Sequence, residues 1–253
     1  MGKVITVISG KGGVGKTVSA INLAASLNKF NKNVILVDCN FTTPNTALHL
    51  GSPIVPITLN HVLSGKRKVY DAVYQHYSGL KLVASSISLK ALKGINLEKL
   101  PRALKDLKKI SDIIVLDAAA GLGKEALVAL ENSDDVVVVT NPEMPAVTDA
   151  LKTIRLAEQL NKNVLGVLVT KVRRDNKEMK LREISNLLEK PIIGVIPEDN
   201  HVRESVMIRD AVIHLKPRSK ASVNYKKIAA KLIGKEYKEP SFFSNLFSPS
   251  KKE

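Results

Sequence analysis

Short β-branched runs, apolar on both faces, recur along the chain: Val4 to Ser9, Val34 to Val37, Leu80 to Ala84, Ile113 to Leu116, Val136 to Thr140, Val164 to Thr170 and Ile192 to Ile196. A strand that is apolar on both faces is covered on both sides, as in a parallel sheet between two helix layers. Between these runs, Ser19 to Lys29, Pro145 to Leu160 and Met179 to Leu188 carry apolar residues at three- and four-residue spacing, the pattern of helices lying on a sheet. The alternation of β and α over the whole length predicts an α/β fold with a single-domain, doubly wound, mostly parallel sheet over residues 1–234. There is no internal repeat and no low-complexity stretch. From about Lys235 the chain becomes Lys/Glu/Ser/Pro-rich and then aromatic, which predicts a flexible tail over residues 235–253 with a short amphipathic segment.

Composition narrows the classes of partner. A chain of 253 residues with 44% hydrophobic residues is long enough to bury one sizeable core. Lys plus Arg number 39 against 24 Asp plus Glu, a net charge of +15, which suits an anionic partner such as nucleotide, acidic lipid or nucleic acid. Charge alone does not choose among these, and a solvated basic surface accounts for it equally. Cys39 is the only cysteine, so an intrachain disulfide framework and a CxxC metal or redox site are excluded, and a cytoplasmic location is expected. No apolar run reaches the ~18 residues of a membrane-spanning helix, and the N-terminus enters a strand without a signal-peptide pattern. The expectation is a protein that neither spans a membrane nor is exported through one.

After the first predicted strand comes Gly10-Lys11-Gly12-Gly13-Val14-Gly15-Lys16-Thr17. It fits G-x-x-x-x-G-K-[ST] and opens into a helix beginning near Lys16, the strand, loop and helix order of a P-loop NTPase. The glycines let successive backbone N–H groups turn toward one point, and the helix N-terminus adds partial positive charge where phosphate oxygens would lie. Lys16 is expected to reach the β- and γ-phosphates. Thr17 offers a hydroxyl to Mg²⁺, which takes oxygen ligands in an octahedron. Lys11 is unusual, because an ordinary phosphate loop needs no second lysine near its start.

With that lysine the motif resembles the deviant Walker A loop of the MinD/ParA group of dimeric ATPases. Thr140-Asn141-Pro142-Glu143, Gly194-Val195-Ile196-Pro197-Glu198-Asp199 and Asp117-Ala118-Ala119-Ala120-Gly121 are similar to MinD segments, and the likeness runs from residue 3 to about residue 234. The resemblance implies ATP and Mg²⁺ as ligands and a homodimer formed on ATP binding. It also implies that Lys11 reaches across the interface to phosphates held by the other subunit. By the same resemblance Thr170, Lys171 and the residues to Arg173, with Pro197, Glu198 and Asp199, line the adenine pocket.

A γ-phosphate site needs acidic groups to place Mg²⁺, and parallel sheets deliver them at the carboxyl ends of strands. Asp38, ending the second strand, and Asp117, following Ile-Ile-Val-Leu as a Walker B aspartate would, are the candidates alongside Thr17. A capping or loop-starting role is the alternative for each. MinD-like proteins usually carry Asp-x-Asp at the end of the second strand, the later aspartate orienting the attacking water. This chain has Asp38-Cys39-Asn40. An amide cannot accept a proton, and proton transfer of that kind is worth about 10² to 10⁴ in rate, so ATP hydrolysis is expected to be slow. The polar run Thr42-Thr43-Pro44-Asn45-Thr46 reads either as a switch loop sensing γ-phosphate or as an ordinary βα loop.

Three of the five phenylalanines fall in the tail. On a helix, Phe242, Phe243, Leu246 and Phe247 make one apolar face flanked by lysines. MinD proteins similarly end in a membrane-targeting segment, which implies reversible attachment to an anionic membrane at the inner face of the cell membrane; a tail folded onto its own core or docked on a partner protein is the alternative. The leading reading is an ATP-driven switch that positions cell-division or envelope machinery with a regulatory protein of unknown identity. The alternatives are a ParA-type ATPase that binds nucleoid DNA nonspecifically, to which the net charge is favourable, and a slow-hydrolysing nucleotide-dependent scaffold.

Overall fold

The structure is a computed structural model and describes residues 2–52, 54–173 and 175–239. Its eight strands are β1 (Lys3–Ser9), β2 (Val34–Cys39), β3 (Tyr74–Gln75), β4 (Lys81–Val83), β5 (Ile113–Ala120), β6 (Asp135–Thr140), β7 (Asn163–Val172) and β8 (Ile192–Pro197). They form one sheet in the order β3-β4-β2-β5-β1-β6-β7-β8. Every neighbouring pair is parallel except β3 with β4. The helices are α1 (Lys16–Lys29), α2 (Thr46–His49), α3 (Leu59–Leu63), α4 (Leu100–Leu107), α5 (Lys124–Glu131), α6 (Met144–Gln159), α7 (Leu181–Leu188), α8 (Asn200–Ile208), α9 (Val212–Leu215) and α10 (Lys220–Leu232). The expected doubly wound, mostly parallel α/β sheet is the observed fold.

The two-residue period of a strand sends alternate side chains to opposite faces. Ile35, Val37, Ile114 and Leu116 accordingly pack with Leu104 of α4, Ala126 of α5, Val147 and Ile154 of α6 and Ile184 of α7 on one face. Leu36, Ile113 and Val115 pack with Leu23, Ala24 and Leu27 of α1 and Ile228 and Ala229 of α10 on the other. Removing each such Leu, Ile or Val from water contributes roughly 1.5–3 kcal/mol, so both faces of every central strand anchor the sheet.

Several strands run further than the apolar pattern marks. β5 continues to Ala120, β2 through Asp38 and Cys39, β7 to Val172 and β8 to Pro197. Main-chain pairing does not require an apolar side chain, so polar residues at the carboxyl ends remain in register, with Asp38 opposite Asp117. β3 leaves no mark in the sequence, because two residues carry no period, and it pairs antiparallel with β4 at the sheet edge. Strand order reverses at β1, whose sheet neighbours are β5 and β6. Ligands in open α/β sheets lie beyond the carboxyl ends of strands at such a reversal, and the glycine-rich loop follows β1 at that point.

Candidate nucleotide site

The loop between Ser9 and Lys16 is held open by backbone geometry that only glycine adopts cheaply. Gly13 and Gly15 have φ of 81° and 86°, in the left-handed region where a Cβ is strained. The loop is also braced from outside. Ser9 Oγ donates to the Lys11 carbonyl at 2.9 Å, Thr170 Oγ1 to the Val14 carbonyl at 2.5 Å, and Lys171 Nζ to the Gly13 carbonyl at 2.7 Å. With the carbonyls engaged behind it, the loop is free to turn N–H groups toward a ligand. α1 has no acidic residue in its first turn, so nothing there cancels the partial positive charge of its N-terminus.

Under the loop lies a buried charge cluster. Lys16 Nζ lies 2.7 Å from Asp117 Oδ1 and 3.5 Å from Thr17 Oγ1, and Thr46 Oγ1 donates to Asp117 Oδ2 at 3.1 Å. Asp38 accepts the N–H groups of Asn40 at 3.0 Å and Thr46 at 3.2 Å. Burial, with the neighbouring Asp117 charge adding to it, pushes Asp38 up to about 7. Lys16 contacts Asp117 alone of the two adjacent carboxylates, and Asp38 feels its charge only at a distance. That surplus of buried negative oxygen, beside the Thr17 hydroxyl, fits a hard divalent cation, so Thr17, Asp38 and Asp117 suit Mg²⁺.

Two adjoining cavities open above this cluster. One, of about 590 Å³, is lined by Gly12, Gly13, Gly15, Lys16, Thr17, Asn40 and the α8 residues Arg203, Val206 and Met207. The other, of about 620 Å³, is lined by Asn141, Pro142, Thr170, Lys171, Arg173, Pro197, Glu198 and Asp199. They share Gly15, Val18, Lys171, Val202 and Arg203, which suits a ligand with a phosphate end and a base end.

Individual side chains there are already engaged. Asp199 is the N-cap of α8, accepting from His201 N at 2.9 Å, and also accepts from Ala221 N of α10 at 3.2 Å. Glu198 pairs with Arg173. The amide of Asn40 is wholly engaged with Thr43: its Nδ2 donates to the Thr43 carbonyl at 2.8 Å, and its Oδ1 accepts from Thr43 N at 3.2 Å. Lys11 is about half exposed and lies 4.0 Å from Glu143.

Sequence reasoning passed over three contributors. Glu125 of α5 ties down the loop after β2, accepting from Phe41 N at 2.8 Å and from Thr42 Oγ1 at 2.5 Å. Asn141 Oδ1 accepts from Thr170 Oγ1 at 3.2 Å, and Arg203 lines both cavities. An acidic residue in a first helical turn gives no sign of a distant loop partner, whereas the Asn-Pro step at Asn141 was a usable signal. The apolar tail face of Phe242, Phe243, Leu246 and Phe247 lies outside the described residues. No helix among the described residues is long and apolar enough to cross a membrane.

A P-loop at the switch point of a doubly wound sheet defines a nucleotide-binding protein of the P-loop class. More narrowly, residues 5–210 match the CobQ/CobB/MinD/ParA nucleotide-binding domain, and the chain belongs to that family. It is 38% identical over 246 residues to an uncharacterized ATP-binding protein of Methanocaldococcus jannaschii, covering 95% of this chain and 93% of that one. Identity to the septum site-determining protein MinD of a Synechocystis species is 30% over 242 residues, covering 93% and 91% of the two chains. The structure of MinD from Pyrococcus horikoshii, complexed with Mg-ADP, superposes with a TM-score of 0.88 at 30% identity, covering 92% of this chain and 96% of that one.

Proposed function

We propose that the chain is a Mg-ATP-dependent dimerisation switch with slow hydrolysis that attaches reversibly to an anionic membrane surface and positions cell-division or envelope machinery. The observation that carries this reading is Lys11. It is an exposed lysine at the mouth of the phosphate loop, with its nearest acidic group 4.0 Å away, while the phosphate-directed amine in the same loop, Lys16, is buried against Asp117. A loop lysine that serves its own chain's phosphates would point inward as Lys16 does; one that serves a second copy stays at the surface. The likeness to MinD, and the Mg-ADP held by the Pyrococcus horikoshii protein, support the choice of ligand.

In this reading Lys16 leaves Asp117 to neutralise the β- and γ-phosphates, and the N–H groups of residues 12–17 donate to the remaining phosphate oxygens. Thr17, Asp38 and Asp117 would hold Mg²⁺, which would supply positive charge to offset that of the phosphates. Asp38 and Asp117 hold position at adjacent strand ends, so little reorganisation is required. Asn40 would have to leave Thr43 to hold the attacking water, and as an amide it cannot take that water's proton, which keeps the ATP form long-lived. Two tails on one dimer raise membrane avidity by making the second attachment intramolecular.

Sedimentation with anionic vesicles tests the reading. Full-length protein pellets in Mg-ATP and not in Mg-ADP, and a chain lacking residues 240–253 stays in the supernatant in both. Equal sedimentation of the two chains in ATP overturns the membrane part, and an ATP-dependent DNA mobility shift at the same salt would favour the DNA-binding alternative.

A further inference from the structure

Away from the nucleotide site, the turn after β3, the segment joining α8 to α9 and α9 itself converge on three side chains. His76 and Asp210 are 4% and 6% exposed, and the His214 side chain is 12% exposed. One ring nitrogen from each histidine and one carboxylate oxygen of Asp210 all lie within 4.8 Å of one another. The two imidazoles stack with centroids 6.2 Å apart. We propose that His76, Asp210 and His214 form a binding site for a divalent transition-metal ion of the Zn²⁺ class, separate from the Mg²⁺–nucleotide site.

The donor set selects the class of ion. Two imidazoles and one carboxylate suit Zn²⁺ and its neighbours, whereas Mg²⁺ and Ca²⁺ favour all-oxygen shells. At ligand distances of 2.0–2.2 Å, tetrahedral donors lie about 3.4 Å apart, so closing a gap of up to 4.8 Å takes modest side-chain rotation. A fourth position is left for water. Burial is the largest influence on His76 and holds it below its ordinary value; burial raises Asp210, but hydrogen bonds from His214 and Tyr77 outweigh it and leave the carboxyl below its ordinary value.

Neighbouring groups orient the donors. His214 Nδ1 lies 2.8 Å from Asp210 Oδ1, an oxygen that also accepts Ala211 N at 2.7 Å. Tyr77 OH donates to Asp210 Oδ2, and His76 Nδ1 lies 2.9 Å from Ser78 Oγ. A hydroxyl partner such as Ser78 on His76 fixes ring orientation at metal sites. Tyr77 is 78% exposed, so an ion enters from that side once the phenol swings out. The site also has a structural consequence. The His76 ring lies beside the backbone of Leu50, directly after α2, whose first residue Thr46 holds Asp117. Asp210 directly follows α8 and its left-handed cap Arg209, and α8 walls the phosphate cavity. An ion here would fasten two walls of the nucleotide site to each other.

The test uses full-length protein stripped of metal and held in excess Mg²⁺ and ADP, so that Asp38 and Asp117 are engaged, and titrated with Co²⁺ and then Zn²⁺. One Co²⁺ per chain binds, with the visible ligand-field absorption of a four-coordinate ion; Zn²⁺ displaces it and raises the melting temperature. Asp210→Asn and the more exposed His214→Asn each weaken Co²⁺ binding about 10-fold or more, with Mg-ADP affinity unchanged. Circular dichroism verifies that both variants fold. The proposal is overturned if the parent takes up no stoichiometric Co²⁺ or Zn²⁺, or if both folded variants bind Co²⁺ as the parent does.

Discussion

The amine of Lys16 lies 2.7 Å from the carboxylate of Asp117, with the two side chains 7% and 1% exposed, and Asp38 is the next carboxylate across the sheet. In the proposed function, phosphate oxygens compete with Asp117 for that amine. Lys16 is therefore a structural counter-ion to Asp117, and in the proposed function it is also the phosphate-binding amine.

Lys16→Ala is expected to abolish Mg-ATP binding measured by calorimetry, and also to lower stability by about 3 kcal/mol in urea unfolding, since removing one partner strands a buried charge. The stability loss is larger at pH 8 than at pH 6. With Asp38 pushed up to about 7, protonation below that pH relieves one of the two like charges. Adding Asp117→Asn to Lys16→Ala restores part of the stability and none of the binding.

Asn40 gives the second prediction. If its amide holds the attacking water, Asn40→Asp raises single-turnover hydrolysis by about 10-fold, less than the full general-base factor because the surrounding groups are not tuned for a carboxylate. Asp also loses the Nδ2–H that now bonds the Thr43 carbonyl, so the loop loosens and ATP affinity falls slightly. Asn40→Ala hydrolyses more slowly than the parent. Equal rates for all three, measured by rapid quench, would remove residue 40 from the chemistry.

Asp199 gives a stability prediction with a defined pH window. Burial raises its carboxyl, but the N–H groups of His201 and Ala221 outweigh this and leave it below its ordinary value of 3.8. A depressed folded-state value means stability that is present above the unfolded value and lost as pH falls through the folded one. Asp199→Ala therefore costs about 1 kcal/mol at neutral pH, as for other lost N-caps. The gap between parent and variant urea midpoints stays constant down to about pH 5 and narrows below the ordinary carboxyl value. Asp199→Asn, which still caps, loses less.

The phosphate loop was readable because its chemistry is contiguous: eight residues, a preceding apolar strand and a following helix. Asp38 and Asp117 were readable because a parallel sheet puts acids of this kind at strand ends. What pattern could not supply was side-chain direction. Thr170 and Lys171, expected at the base pocket, line a cavity beside the loop, and their polar atoms brace the carbonyls of Val14 and Gly13. Asn40 was expected over the phosphates, and its amide is bonded to Thr43. Glu125, and the trio of His76, Asp210 and His214, depend on packing between elements distant in sequence, for which no local spacing exists. β3 is too short for any period to register.

The central claim is that Lys11 belongs functionally to the other subunit. Light scattering of the parent and of Lys11→Ala, each with Mg-ATP at concentrations calorimetry has shown to be saturating, tests it most directly. The account predicts that Lys11→Ala binds ATP within a few-fold of the parent and stays monomeric, while the parent doubles in mass. A Lys11→Ala protein that dimerises on ATP as the parent does would contradict it.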